Sequence, residues 1–308
     1  MKVAVIIPVC NAAKWLPQFL PALQAQQPAP DEVLFIDSES DDNTVSILRN
    51  AGFAVHAITR RDFNHGGTRR LGSELVAADI CVFLTQDALL QSPYAIARLV
   101  APIFEHCDIG VSYGRQLPHR DAGPLGTHAR TFNYPGTSHT RSISDAPTYG
   151  VKTCFTSDSF CAYRVAALRE VGGFPPAVIG TEDAYVAARM LIAGKKIHYA
   201  ADACVYHSHE YTLVQQFRRY FDIGVFYGRE KWIRANFGSA GGEGLRFVAS
   251  EIAYLMQHHA ARQVPYALLQ NVAKVLGYRL GKLEPKLPLA LKKKFGMNPN
   301  FWNQDRAA

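Results

Sequence analysis

The chain has 308 residues, 48% of them apolar and 19% charged, and a net charge of +7. That is long enough to bury a sizeable core, and the composition is that of a folded globular protein, not of a disordered or fibrous chain. The six cysteines form no C-x-x-C pair, so they read as reduced, buried thiols of a cytosolic protein and exclude a disulfide framework.

The pattern opens on a strand over residues 3–8, a continuous apolar run suited to burial on both faces. It leaves no room for a signal peptide, and no later apolar stretch reaches the length of a membrane span. Helical spacing then predicts a helix over 13–26, a strand over 32–37, a helix over 43–50, a strand over 54–59, a helix over 71–77 and a strand over 80–84. Alternating strands and helices specify βαβ units and a mostly parallel, Rossmann-like sheet, with ligands held at the carboxyl ends of the strands. Polar residues cluster at those ends: Asn11, the run from Asp37 to Asp42, and Asp87.

From 114 to 149 the periodicity loosens and Pro, Gly, His and Arg are frequent, which predicts a long functional loop. The segment 153–163 returns to the sheet and a short helix follows over 165–171. Next, Thr181 stands as an N-cap before Glu182 and Asp183, with Ala184, Ala187, Ala188 and Leu191 at helical spacing and Gly194 as a C-terminal cap. First-turn acids are also favoured by the helix dipole alone, so this pair has a purely structural reading. Short strands are expected at 196–200 and 203–207, then helices over 213–229, about 245–260 and about 264–280. A soft boundary near 212 divides a domain of residues 1–212 from a helical, basic extension of residues 213–308.

The charge is concentrated in that extension. Between Lys274 and Lys294 seven basic residues face Glu284 alone, a local balance of 7 − 1 = +6. A basic segment with Leu, Phe301 and Trp302 nearby suits a membrane surface, and the repeated motifs of nucleic-acid modules are absent. A solvated basic face that binds nothing fits as well.

There is no G-x-G-x-x-G after the first strand and no P-loop. Instead the first strand ends in Ile7-Pro8-Val9-Cys10-Asn11, and the second in Asp37-Ser38-Glu39-Ser40-Asp41-Asp42-Asn43-Thr44. These two segments resemble the start of the family 2 inverting glycosyltransferases of the GT-A fold. The run Asn64-His65-Gly66-Gly67-Thr68-Arg69 further resembles the rhamnosyltransferases of that family, although a Gly-Gly before a helix is often only a turn.

The resemblance implies a GT-A nucleotide-sugar-binding fold with a C-terminal helical extension. It implies that Pro8, Val9 and Asn11 line a base pocket, that Asp37 accepts a hydrogen bond from the base, and that Ser38 and Gln86 lie beside the donor. Asn64, His65, Gly66 and Arg69 would bind the donor, and Arg69 or Arg70 can pair with its phosphate. Thr85-Gln86-Asp87 falls where the family carries Asp-x-Asp and keeps only the last acid. Asp87, His207 and His209 would then hold Mg2+ or Mn2+. Asp183 becomes the general base with Glu182 in support, and Asp158, Ser159 and Phe174 face the sugar or acceptor.

The implied reaction moves L-rhamnose from dTDP-L-rhamnose to a glycan on a polyprenyl diphosphate, in surface polysaccharide or O-antigen synthesis. The implied place is the cytoplasm, peripheral to the inner face of the cell membrane, with no nucleic-acid partner. A UDP- or GDP-sugar donor, a carboxylate-pair hydrolase and a degenerate scaffold subunit stay open at this point. A sugar-phosphate nucleotidyltransferase is disfavoured by the segment from Pro8 to Asn11.

Overall fold

The computed structural model describes residues 1–239 and 241–304. The first half runs β1 (Val3–Val9), α1 (Leu16–Gln24), β2 (Glu32–Ser38), α2 (Thr44–Asn50), β3 (Ala54–Ile58), α3 (His65–Leu75), β4 (Ile80–Leu84), β5 (Leu89–Leu90), α4 (Ala95–Glu105) and β6 (Ile109–Leu117). It continues through α5 (Pro124–Asn133), β7 (His139–Arg141), α6 (Ala146–Tyr149), β8 (Phe160–Arg164), α7 (Val165–Glu170), α8 (Glu182–Ile192) and β9 (Lys196–Tyr206). Six helices close the described chain: α9 (Leu213–Arg229), α10 (Lys231–Phe237), α11 (Glu243–Gln257), α12 (Val264–Lys282), α13 (Leu289–Phe295) and α14 (Phe301–Gln304).

The strands form one sheet in the order β3-β2-β1-β4-β8-β6-β9-β5, with β7 also pairing β9. The ladders β1–β2, β1–β4, β2–β3 and β6–β9 are parallel, whereas β8 is antiparallel to both β4 and β6. It follows that β1, β2, β3, β4, β6 and β9 all point the same way, and their carboxyl ends share one edge. The strand order reverses between β1 and β4, the place where parallel sheets open a crevice for ligands.

Strand β1 shows why the sheet is buried on both faces. Ala4 and Ile6 enter one core with α8 and α9, while Val3, Val5, Ile7 and Val9 enter a second core with α1 and α4. The result is three layers. Helix α8 ends as its sequence predicts: Gly194 has φ +80°, the Lys195 N–H donates to Met190 O at 2.9 Å, and the Gly194 N–H donates to Leu191 O at 3.1 Å. Helix α9 begins at Leu213 as the spacing predicts, because Thr212 and Gln215 form a reciprocal capping box.

Several expectations need correction. The stretch 114–149 is not a loop: it holds the end of β6, the helix α5 and the edge strand β7. Of the segment 153–163 only the part from Phe160 returns to the sheet, as β8; a 3-10 turn ends at Cys154 and 155–159 are irregular. The two strands expected near 200 are one, β9, whose pairing with β6 shifts register after Gly114. Helix α3 starts six residues before the expected Leu71, because Asn64 caps it by accepting from the Gly67 N–H at 2.6 Å. Thr181 occupies the N-cap position of α8 in a left-handed conformation, φ +64°, with no side-chain cap bond. Beyond the expected boundary near 212, Phe221, Val225 and Phe226 of α9, Ile233 and Phe237 of α10, and Phe301 and Trp302 of α14 join the core that covers one face of the sheet.

Candidate active site

The common strand edge carries nearly every polar residue singled out above. At the switch point the Gln86 amide clasps the backbone of Cys10, accepting from its N–H at 2.8 Å and donating to its carbonyl at 3.1 Å. The turn after β1 is locked to the turn after β2: Asn11 N–H donates to Ser40 Oγ at 2.8 Å, and Asp41 N–H donates to Asn11 Oδ1 at 2.8 Å. Asp37 is buried beneath this turn and accepts from Ser40 Oγ at 2.5 Å. Ser38 Oγ is buried beside it with no partner, an open hydrogen-bonding group of the sort a bound ligand satisfies. Pro8 is half-buried, but the Val9 side chain belongs to the core, so only its backbone can line a pocket.

A second group assembles from β4 and β9, which are not neighbours in the sheet. After β4 the chain crosses to the far edge, where β5 pairs antiparallel with β9, Leu89 opposite Tyr206. This crossing lays Asp87 over the end of β9, and the ligand atoms of Asp87, His207 and His209 all fall within 4.8 Å of one another. His207 Nε2 lies 3.5 Å from Asp87 Oδ1, and His209 Nε2 lies 3.8 Å from Asp87 Oδ2. Gln116 Oε1 receives Arg130 Nη1 at 2.6 Å and sits 2.9 Å from His207 Nδ1.

A carbonyl oxygen only accepts, so the proton of His207 sits on Nδ1 and the Nε2 lone pair is directed at Asp87. Burial lowers the basicity of His207 and brings His209 down to about 4, so both rings are neutral ligands at neutral pH. The donor set, one carboxylate and two neutral imidazoles, fits a divalent cation.

The third group is acidic. Arg69 on α3 is buried, with Nη1 donating to Glu182 Oε1 at 2.6 Å and Nε in a charge contact with Asp158 Oδ2 at 3.1 Å. Tyr163 OH donates to Asp158 Oδ1 at 2.6 Å. Asp183 follows Glu182 and has no cationic partner among the described ion pairs; its Oδ1 accepts only the Ala184 N–H, at 2.7 Å. Two carboxylates thus share one guanidinium, and the third stands beside them without it. Burial first, then the charges of Asp158 and Glu182, raise the Asp183 carboxyl well above the usual carboxylate range.

This arrangement revises the roles implied for several residues. Arg69 does not reach out to phosphate, because its guanidinium is spent on Asp158 and Glu182. Gly66 packs against the Pro175 carbonyl, which a Cβ would approach to 1.9 Å, and Gly67 serves the Asn64 cap. Phe174 is fully buried between Phe83 and Tyr163, so it contacts no sugar. His65, Ser159, Glu182 and Asp183 do line one cleft of about 490 Å3, together with His207 and His209.

The same cleft holds residues the sequence did not single out. Gln116, Arg130 and Arg219 stand near the histidines, and Met297 and Asn298 near the acids. Asp222 on α9 pins that last pair: its Oδ2 accepts from the N–H groups of Met297 and Asn298 at 3.0 and 3.1 Å. Asn298 Nδ2 reaches on to Ile179 O at 3.1 Å. No local motif announces these contacts, which join segments 75 to 119 residues apart.

A half-buried carboxylate with raised basicity, in one cleft with His207 and His209 of a metal-capable triad, can take a proton from a hydroxyl while a charged leaving group departs toward the triad. On a mostly parallel sheet with a crevice at its switch point, this is the arrangement expected of a glycosyltransferase of the GT-A fold. Comparison with known proteins agrees. The model of glycosyl transferase family 2 matches residues 4–172. The O-antigen chain rhamnosyltransferase RfbN of Salmonella typhimurium is 46% identical over 305 residues, covering 98% of this chain and 96% of that one. WbaN of Salmonella anatum, with the same description, is 44% identical over 301 residues, covering 97% and 95%. Among solved structures, the mannosyltransferase PcManGT of Pyrobaculum calidifontis, in complex with GDP-Man and Mn2+, superposes with a TM-score of 0.60 at 17% identity, over 92% of this chain and 86% of that one. The chain belongs to glycosyl transferase family 2.

Proposed function

We propose that this enzyme is an inverting rhamnosyltransferase of O-antigen synthesis, moving L-rhamnose from dTDP-L-rhamnose to a glycan carried on a polyprenyl diphosphate. The similarity to RfbN and WbaN over nearly the whole chain supports the sugar and the pathway. The observation that carries the chemistry is the Asp183 carboxyl, outside the ion pairs of the described residues and raised in pKa within the shared cleft. Asp183 removes the proton of the acceptor hydroxyl as that oxygen bonds to the anomeric carbon. The bond from that carbon to the diphosphate breaks in line, and the configuration inverts. Burial and the negative charges of Asp158 and Glu182, both positioned by Arg69, favour proton uptake by Asp183.

Asp87, His207 and His209 would hold a divalent cation, which neutralises charge on the diphosphate when bound. Two imidazoles make the set softer than the oxygen ligands Mg2+ favours, so Mn2+ is the better match. Gln116 fixes the His207 ring, and Arg130 and Arg219 add positive charge on the same side of the cleft. Asp37, Asn11 and Ser38 form the base side. The enzyme works in the cytoplasm, peripheral to the inner membrane face, where its acceptor is anchored; no helix of the described chain is long and apolar enough to cross a membrane.

Calorimetric titration of dTDP, UDP and GDP, each with Mn2+, Mg2+ or EDTA, tests the reading. Tight dTDP binding that weakens in EDTA is expected. A preference for UDP or GDP would discard the donor, and no nucleotide binding at all would return the chain to a scaffold role.

A further inference from the structure

Helix α12 is built inside out. The face it packs against α9 is made of small residues: a Cβ on Gly277 would come within 2.3 Å of Phe217 O, and one on Gly281 within 2.1 Å of Phe221 O. Gly224 on α9 returns the contact: a Cβ there would come within 2.3 Å of Tyr278 O. The large apolar residues point the other way. Leu268, Leu269, Val272, Val275, Leu276 and Leu283 are 43–55% exposed and recur at helical spacing along one face. A helix that packs only on its own protein turns such residues inward.

We propose that this outer face of α12 seats on a membrane surface rich in anionic headgroups, with its Leu and Val side chains entering the boundary between headgroups and acyl chains. The inference sharpens the peripheral placement proposed above and rests on it. Charge selects the occupant. From Val264 to Lys294 the chain has one carboxylate, Glu284, and that side chain is buried against Arg229 and Lys292. The exposed charges around the stripe, Arg262, Arg279, Lys282, Lys286, Lys293 and Lys294, are all cationic. A second copy docked face to face would bring Arg279 and Lys282 against their own equivalents, or against Arg262 if antiparallel, whereas anionic lipid neutralises them. The surface is therefore not the one expected from the aromatic tail: Phe301 and Trp302 are 9% and 1% exposed and serve the core.

The inner side of the same helix supports this orientation. Gln270 and Lys274 line a cavity of about 260 Å3 that shares Arg130, Tyr134, His209 and Arg219 with the catalytic cleft. Lipid on one side of α12 and a polar passage toward Asp183 on the other suit an acceptor with a lipid tail.

The test uses the full chain and sedimentation with phosphatidylcholine vesicles, with or without phosphatidylglycerol. The unaltered protein is expected on the anionic vesicles only. Triple substitution Leu269→Gln, Val272→Gln and Leu276→Gln, at exposed positions the core does not use, should weaken that partition about tenfold or more. Its circular dichroism should not change. If the unaltered protein binds and the triple variant binds equally well, the assignment to α12 is overturned while the membrane placement stands. If the unaltered protein ignores both vesicles, both are overturned. A dimer in light scattering that the triple variant converts to monomer would overturn the proposal in favour of a self-interface.

Discussion

A single guanidinium governs the chemistry at the residue scale. Arg69 is shared by Asp158 and Glu182, which leaves Asp183 outside the described ion pairs with its carboxyl held well above the usual carboxylate range by burial and by its acidic neighbours. Asp183→Asn should lower turnover by about 10²–10⁴-fold with nucleotide binding intact, compared by rate assay and calorimetry. A fully active Asn variant would remove Asp183 from the base role. As the proposed base Asp183 would work ionised, so turnover should fall as pH drops through its raised pKa, above the ordinary carboxylate range. Asp158→Asn removes a like charge and should move that acid limb to lower pH; a pH–rate profile that does not move would sever the coupling. For the metal triad, Gln116→Leu frees the His207 ring, and Mn2+ affinity by titration should drop about 10–100-fold. The acids and the His-x-His were legible in the sequence because each is a local doublet. Gln116 was not, because its partner lies 91 residues away.

At the scale of elements, two junctions hold the cleft in shape. One is the contact of α3 with the loop before α8. Gly66→Ala would place a methyl carbon 1.9 Å from the Pro175 carbonyl oxygen and 3.6 Å from Glu182 Cβ, so the loop that leads into α8 and Asp183 must move. Activity should fall more steeply than melting temperature, which parallel rate and thermal measurements would reveal. The other junction is Asp222 with the segment at Met297 and Asn298. Burial raises the Asp222 pKa from 3.8 to about 7. The folded state then holds this proton more tightly than the unfolded chain, so its contribution to stability is present at low pH and lost as pH rises toward 7. Relative to Asp222→Asn, the unaltered protein should lose about 1–3 kcal/mol of stability between pH 4 and pH 8, read by denaturant unfolding. Equal pH dependence of the two would contradict the burial argument. Sequence periodicity found α9 because a capping box and a clear apolar face mark it. It missed α5, whose first turn carries Pro and whose half-buried residues show little alternation.

Across the whole molecule, the direction of six strands decides where chemistry can sit, and that much follows from βαβ alternation alone. What the pattern could not give is which core the later helices join. An amphipathic helix announces that it has a partner but not whose face it covers. Residue 212 does precede a helix, yet Phe221, Val225 and Phe226 are 0–1% exposed within the core that also contains Ile6, Ile36 and Phe83 from the sheet. Cutting there would bare one face of the sheet and remove Asp222, Asn298 and Arg219 from the walls of the cleft. A fragment of residues 1–212 should therefore show no cooperative thermal transition, bind a hydrophobic dye strongly and transfer no sugar. If the fragment instead melts cooperatively and binds dTDP as the full chain does, the two parts are separable domains, and the C-terminal helices serve the acceptor and the membrane alone.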